Sequence, residues 1–185
     1  MLAGQLRTAS AYRVPDACTS IASVWLAGGS EHVEACAQRM PVPAVVSPLG
    51  VFAGVTGGMR LSPRPSVIVD LGQTSAKVLA PGLPARRVMR RGRGWQAVLR
   101  DALWGVTVPH LVLGLPSELS AEGAGACSYF DALSWKHLAT EVPCDTQVFS
   151  DAELAAGAVD RDAMTAPCLA LTFGHGVGAA LVLPG

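Results

Sequence analysis

SVIVDLGQTSAKVLAP, residues 66–81, decides the fold class. An apolar run through Val69 reaches Asp70, a polar turn carrying Gly72 follows, and Ala76–Leu79 return as a second apolar segment. That is the signature of a buried strand, a tight turn and a paired strand. Downstream, ARRVMRR (85–91) supplies a third strand. GWQAVLRDALWG (94–105) places Trp95, Val98, Leu99 and Leu103 near helical spacing, which predicts an amphipathic helix. HLVLGLP (110–116) reads as a strand running into a Gly-Pro turn, and DALSWKHLATEV (131–142) as a helix. TQVFSDAELAAGAVDRDAM (146–164) reads as strand, acidic turn and alanine-rich helix, and CLALTFGHGVGAALVLPG (168–185) as strand, glycine-rich turn and strand.

Upstream the same alternation appears. VWLAGG (24–29) is a short strand ending in paired glycines, and EHVEACAQRM (31–40) is a helix whose first turn carries Glu31 and Glu34, where acids favour a helix start. PVPAVVSP (41–48) is a second strand, and LGVFAGVTGGM (49–59) a small-residue helix closed by Gly57 and Gly58. RLSPRPS (60–66), rich in Pro and Ser, is a linker or crossover. Alternating strands and helices predict α/β layers.

Composition narrows the function classes. Half of the 185 residues are apolar, enough for a buried core, and 20 Gly with 13 Pro imply many tight turns. Lys plus Arg and Asp plus Glu stand at 14 each, so no global field recruits nucleic acid or anionic lipid. Arg86, Arg87, Arg90, Arg91 and Arg93 form a local basic run, read either as a charged strand edge or as a phosphate or acidic-partner contact. The cysteines Cys18, Cys36, Cys127, Cys144 and Cys168 are odd in number and never fall in a CxxC pair. They suggest small core residues in a reducing compartment rather than disulfides or zinc. The first residues lack a leader-like apolar run and no long apolar stretch occurs, so a cytoplasmic, non-membrane protein is expected.

Three places carry candidate chemistry. At Asp70–Lys77, Gly72 lets backbone approach a phosphate, Thr74 and Ser75 can donate hydroxyl hydrogen bonds, and Asp70 can hold a hydrated magnesium ion; an ordinary hairpin with a polar turn fits the same residues. At Thr172–Gly178, Gly174, Gly176 and Gly178 alternate around His175, either as a second phosphate turn or as a closely packed hairpin. Asp151, at a strand end before an alanine-rich helix, suits a base that accepts a proton from a hydroxyl, or a helix N-cap.

DLGQTSAK resembles the first phosphate motif of the actin, sugar kinase and Hsp70 superfamily. FSDAELAAGA is similar to the NDANAAALGE segment of ROK-type sugar kinases, and TFGHGVGAALV to their second phosphate motif, TLGTGIGGGIV. VWLAGGSEHVEACAQRM resembles the adenosine motif of the same fold, and PVPAVVSPLGVFAGVTGGM its last strand and closing helix. The match runs in family order from residue 66 to 185, while the N-terminal third resembles the end of the fold. The resemblance therefore implies a circularly permuted, two-lobed RNase H-like fold. Residues 67–164 would form one lobe and residues 1–60 with 165–185 the other, joined by the linker 61–66. Gly185 would lead back to Met1 within a hairpin, closing in one chain or between two swapped copies.

On this resemblance, ATP and Mg2+ are the cofactors. Asp70, Gly72, Gln73, Thr74, Ser75 and Lys77 face the phosphates and magnesium; Gly174, Gly176 and Gly178 lie opposite; and Gly28, Gly29 and Ser30 lie by the adenosine. Asp151 takes the position of the catalytic base. Gly114, Pro116, Ser117, Glu118 and Ser150 would line a substrate cleft. Ser150 and Glu153 replace two Asn of the family pattern, and neither a GExGH segment nor a cysteine-rich zinc loop is present. The implied activity is a kinase acting on a small hydroxylated substrate such as a sugar. A nucleotide-binding switch or assembly module, or a scaffold that retains only the fold, stands beside it.

Overall fold

Two antiparallel hairpins organise the chain, because each pairs an apolar strand with a neighbour reached through a four-residue or shorter turn. The computed structural model describes residues 6–8, 21–29, 32–127, 130–142, 144–174 and 176–185. In chain order the elements begin with β1 (Leu6–Thr8), β2 (Ser23–Gly28), α1 (Val33–Ala37) and β3 (Ala44–Val46). A 3-10 turn (Gly50–Phe52) runs into α2 (Ala53–Leu61). Next come β4 (Val67–Leu71), β5 (Ser75–Leu79), β6 (Arg86–Met89), α3 (Trp95–Leu103) and β7 (His110–Leu115). A short hairpin of β8 (Gly123–Ala124) and β9 (Leu133–Ser134) leads to α4 (Trp135–Glu141). β10 (Asp145–Ser150), α5 (Asp151–Ala156), β11 (Cys168–Phe173) and β12 (Val177–Val182) complete the order.

The expected α/β class is borne out. One sheet runs β1-β10-β7-β4-β5-β6 and the other β12-β11-β2-β3. In each, the first strand of a hairpin (β4 or β11) pairs in parallel with a strand beyond it (β7 or β2), and that one with a further parallel strand (β10 or β3). A helix then follows the last of these, α5 after β10 and α2 after β3. The second sheet draws β11 and β12 from the end of the chain and β2 and β3 from near its beginning.

The first sheet is covered on both faces, as a largely parallel sheet requires. Val67, Val69, Leu71, Ala76 and Val78 bury themselves against Trp95, Val98 and Leu99 of α3 and Leu138 of α4. The alternate residue Ile68 faces the other way, with Val112, and meets Val55 of α2 and Leu154 of α5. Asp70, two residues beyond Ile68, shares this second face.

Four expectations need correction. Gly57 and Gly58 do not close α2; they lie within it, where it crosses α5. A Cβ on Gly57 would stand 1.9 Å from the Leu154 carbonyl oxygen, and one on Gly157 2.7 Å from the Gly57 carbonyl oxygen, so the two backbones touch. Arg60 seals the crossing by donating to the Ala158 carbonyl at 2.7 Å. Leu6–Thr8 does not follow β12 as a neighbouring strand: it pairs in parallel with Thr146–Val148 at the outer edge of the first sheet, which β10 would otherwise leave open. The segment after Gly28 forms a helix of only five residues, Val33–Ala37; Glu31 lies outside the described residues. The basic run does lie on a charged edge strand, since β6 ends the first sheet with Arg86 and Arg87 exposed, but its side chains are not simply solvated. Arg86 donates to the carbonyls of Ala102 and Trp104 at the end of α3, where a cation suits the helix terminus, and Arg93 pairs with Asp101.

Among the described residues, Cys36, Cys127, Cys144 and Cys168 are free thiols, and no helix is long and apolar enough to cross a membrane. The backbone contact at Gly57 is the tightest constraint between the helices. Gly57→Val should cost about 1–3 kcal/mol or more of unfolding free energy through overpacking, read from urea denaturation, whereas Thr56→Val one residue earlier should change it by under about 1 kcal/mol.

Candidate functional site

Asp70 comes to the carboxyl end of β4 with Lys77 directly across the hairpin, because the register pairs these two positions. The Lys77 Nζ sits 3.1 Å from Asp70 Oδ2, with both side chains mostly buried. Packing supplies the rest. A Cβ on Gly54, in the first turn of α2, would lie 2.8 Å from the same carboxylate oxygen, so only glycine lets α2 descend onto Asp70. The turn closes through the Gly72 N–H donating to the Ser75 carbonyl at 3.1 Å, and a Cβ on Gly72 would come within 3.2 Å of Lys77 Nζ.

Asp151 stands on the same edge of the sheet, since β10 ends level with β7, and β7 with β4. It is not the N-cap of α5. Ser150 is: its Oγ accepts from the Glu153 N–H at 3.2 Å, while Glu153 Oε2 accepts from the Ser150 N–H at 2.9 Å. This reciprocal capping box takes the N-cap role from Asp151, whose carboxylate meets instead the N–H groups of Ala152 and of Asp151 itself. Burial pushes the Asp151 carboxyl above its ordinary value of 3.8, and the charge of Asp70 adds to the rise. The backbone N–H groups of Ala152 and of Asp151 itself, together with Lys77, pull it partly back. The two carboxylates and the ammonium thus form one electrostatic unit.

The second sheet reaches this unit through β12. A Cβ on Gly178 would lie 2.5 Å from Thr172 Oγ1, 3.0 Å from Ala152 Cβ and 3.2 Å from Asp151 Oδ1. Glycine at 178 therefore lets the second hairpin lie directly on the first turn of α5. Gly174 and Gly176 differ: the Gly174 N–H donates to the Gly176 carbonyl at 3.0 Å, both residues are exposed, and a Cβ on either would meet nothing within 4 Å. Neither sterics nor a left-handed backbone demands glycine there. His175 lies outside the described residues.

Gly28 pairs with Phe173 at the end of β2, so the paired glycines share the edge of the Gly174 turn. Gly28 has a close packing cause, with φ 146° and a Cβ position 2.1 Å from the Phe173 carbonyl oxygen. Gly29 is exposed and closes on Val51, whose Cγ1 would be 2.5 Å from its Cβ. Ser30 falls outside the described residues.

Several expected site residues have other work. Ser75 is 1% exposed and its Oγ accepts from Arg87 Nε at 2.8 Å, so it ties β5 to β6 rather than standing open on the turn. Gly114 is buried beneath Leu154, whose Cδ2 would meet its Cβ at 2.5 Å; it is a packing position, not a cleft wall. Ser150 is engaged as the cap. Thr74 is exposed at the turn and its carbonyl accepts from the Arg90 N–H at 2.8 Å. Gln73 Oε1 and Ser117 Oγ are buried without hydrogen-bond partners among the described residues, one on the first hairpin turn and one just beyond β7. Pro116 is half-buried and Glu118 exposed, with the Glu118 carbonyl accepting from Gly125 at 2.9 Å.

Sequence reading missed Gly54, because the approach of α2 to Asp70 carries no local signal. The capping box did have one, the Ser-x-x-Glu spacing of 150–153. Among the described residues no three His, Cys, Asp or Glu side chains gather as a metal cage. A hydrated magnesium ion needs no such cage, since one or two carboxylates and substrate phosphates suffice, and Asp70 is the carboxylate here that could hold one. Compared with protein-family models and with curated proteins, the chain matches none.

The raised Asp151 carboxyl makes a signed prediction. Its folded form holds the proton more tightly than the unfolded chain, so its contribution is fully present below the ordinary carboxylate range and is lost as pH rises through the folded value. Asp151→Asn should therefore raise the thermal unfolding midpoint near pH 7, and the gain should shrink as pH falls through the raised folded value and be gone below 3.8, measured by calorimetry across pH.

Proposed function

We propose that this chain is an ATP-dependent phosphotransferase acting on a small hydroxylated substrate such as a sugar, built on a circularly permuted, actin-like two-lobed fold. The observation that carries the reading is the meeting of Gly178 of the second hairpin with Asp151, which shares its electrostatics with Asp70 and Lys77 of the first. Two further features support it. The strand arrangement β5-β4-β7-β10 recurs as β12-β11-β2-β3, with the second copy assembled from both ends of the chain, as a rotated order requires. Gly174 and Gly176 leave an open turn whose lack of side chains the protein's own packing does not explain, which suits close approach of phosphate to backbone.

In this reading the first hairpin turn and the Gly174–Gly178 turn hold the nucleotide phosphates from two sides. Lys77 is held at Asp70 and offers its ammonium to the phosphate charge. Bound magnesium would be held by Asp70 through water and would neutralise phosphate charge. Asp151 takes the proton from the acceptor hydroxyl as that oxygen bonds to the γ-phosphorus. The bond to the β–γ bridging oxygen breaks, and ADP leaves with its electron pair. An elevated carboxyl suits this base, since it retains the proton it has taken. Gly28 and Gly29, level with the Gly174 turn, provide a flat floor for the nucleoside. The free thiols at Cys36, Cys127, Cys144 and Cys168 accord with a cytoplasmic setting.

Isothermal titration of the full chain with ATP and magnesium should show saturable binding. Asp151→Asn should keep that binding within a few-fold while lowering phosphoryl transfer to sugars and polyols by about 10²–10⁴-fold. Absence of nucleotide binding would overturn the proposal; binding without transfer to any hydroxylated acceptor would replace it with the nucleotide-switch reading.

A further inference from the structure

One arginine of the basic run has no charge partner inside the protein. Because β6 runs antiparallel to β5, with Met89 opposite Ser75, its end arrives at the edge of the first sheet that carries the Gly72–Ser75 turn. There the Arg90 N–H donates to the Thr74 carbonyl at 2.8 Å. Arg86, Arg87 and Arg93 are engaged by carbonyls, Ser75 and Asp101. Arg90 has no ion pair among the described residues, and its Nη1 is buried with no hydrogen-bond partner among them.

A tight reversal holds this guanidinium in place. Arg90 Nε donates to the Arg93 carbonyl at 2.9 Å, and the Arg93 N–H and Nε donate to the Arg90 carbonyl at 2.9 and 3.2 Å. Between them Arg91 stands at φ 47°, the only non-glycine with a positive φ among the described residues, and Gly92 at φ 76°. Left-handed backbone is costly for a residue with a Cβ and persists only where its surroundings impose it. With Nε committed, the terminal nitrogens make a fork that no described protein group fills. A guanidinium stays charged at neutral pH, so a buried N–H on it without a partner costs more than a neutral one. Gln73, next to Thr74 in the turn, also has its Oε1 buried and unpartnered. Two orphaned polar groups thus neighbour Thr74, which is exposed and whose hydroxyl makes no hydrogen bond among the described residues.

A planar fork of N–H donors matches the oxygens of a phosphoryl group. The Thr74 hydroxyl and, after a half-turn of its amide, Gln73 add donors to the same group. We propose that Arg90, with Gln73 and Thr74, forms a subsite for a phosphoryl group on the first hairpin turn. Arg90 and Gln73 are each half-buried, so a ligand seated at Thr74 reaches them with side-chain rotation alone. The subsite rests on the nucleotide reading only in identifying that group as a phosphate of ATP; the recognition chemistry is the same for free phosphate.

Isothermal titration of the full chain with inorganic phosphate, at ionic strength held constant with chloride, should show saturable binding. Arg90→Gln should weaken it by about tenfold or more, while Arg91→Gln, at the exposed neighbour, should stay within about twofold of the wild type. Mg-ATP and Mg-ADP titrated into the same proteins identify the source. A loss confined to Mg-ATP makes the group the γ-phosphate, equal losses on both make it an inner phosphate, and unchanged nucleotide affinities make it free phosphate. Phosphate binding without nucleotide binding keeps the subsite and ends the ATP reading. In the wild-type chain, where folding of a variant is not at issue, phosphate or Mg-ATP should slow phenylglyoxal modification of Arg90 more than of Arg91, read by peptide mass spectrometry. The proposal is overturned if the wild-type chain binds neither phosphate nor Mg-ATP, if Arg90→Gln binds both as the wild type does, if Arg91→Gln loses as much, or if Arg90 is protected no more than Arg91.

Discussion

The backbone contact between α2 and α5 is the constraint on which the remaining geometry depends. Gly57 and Gly157 let the two helices cross with peptide groups in contact, and any side chain at Gly57 would drive them apart. Each helix starts at the carboxyl edge of its own sheet and runs toward the crossing. Gly54 is thereby set down on the Asp70 carboxylate and the first turn of α5 against Gly178. Two sheets that share no strand pairing are brought to one site by a pair of short helices.

The charge arrangement follows from that approach. Asp70 and Lys77 are a cross-strand pair and would attract each other in an isolated hairpin, with only modest effect in water. Enclosure by α2 removes much of that water. Asp151 then enters the same enclosure without an ion-pair partner of its own among the described residues, and burial and the neighbouring carboxylate together lift its proton affinity. Ser150 and Glu153, which depart from the motif that this segment resembles, relieve Asp151 of capping the helix. A carboxylate released from structural duty and held at elevated proton affinity is suited to proton transfer.

Much of the architecture was legible because it is written in short-range periodicity. The hairpin at 66–81, the strand at His110–Leu115 and the amphipathic helix from Trp95 each depend on alternation or helical spacing that a dozen residues display. Other errors share a cause. Gly57 and Gly58 looked like a helix stop because local chemistry gives mid-helix glycine no other reason. Gly114 looked like part of a cleft because nothing nearby in sequence reveals Leu154 above it. Leu6–Thr8 looked like the continuation of β12, whereas the edge that accepts it belongs to a strand some 140 positions away.

What the amino-acid order determined alone is the set of elements and the chemistry each carries to its end: Asp70 and Lys77 across one turn, Asp151 at a capped helix start, and glycines on a second turn. Those properties arise from backbone preferences and neighbouring side chains. Only tertiary packing decided that Gly54, Asp70, Asp151 and Gly178 meet and that Ser75 and Gly114 serve the interior. The physical reason is that such meetings depend on how closely two backbones can approach, a quantity set by the atoms on both sides at once and encoded in neither segment by itself.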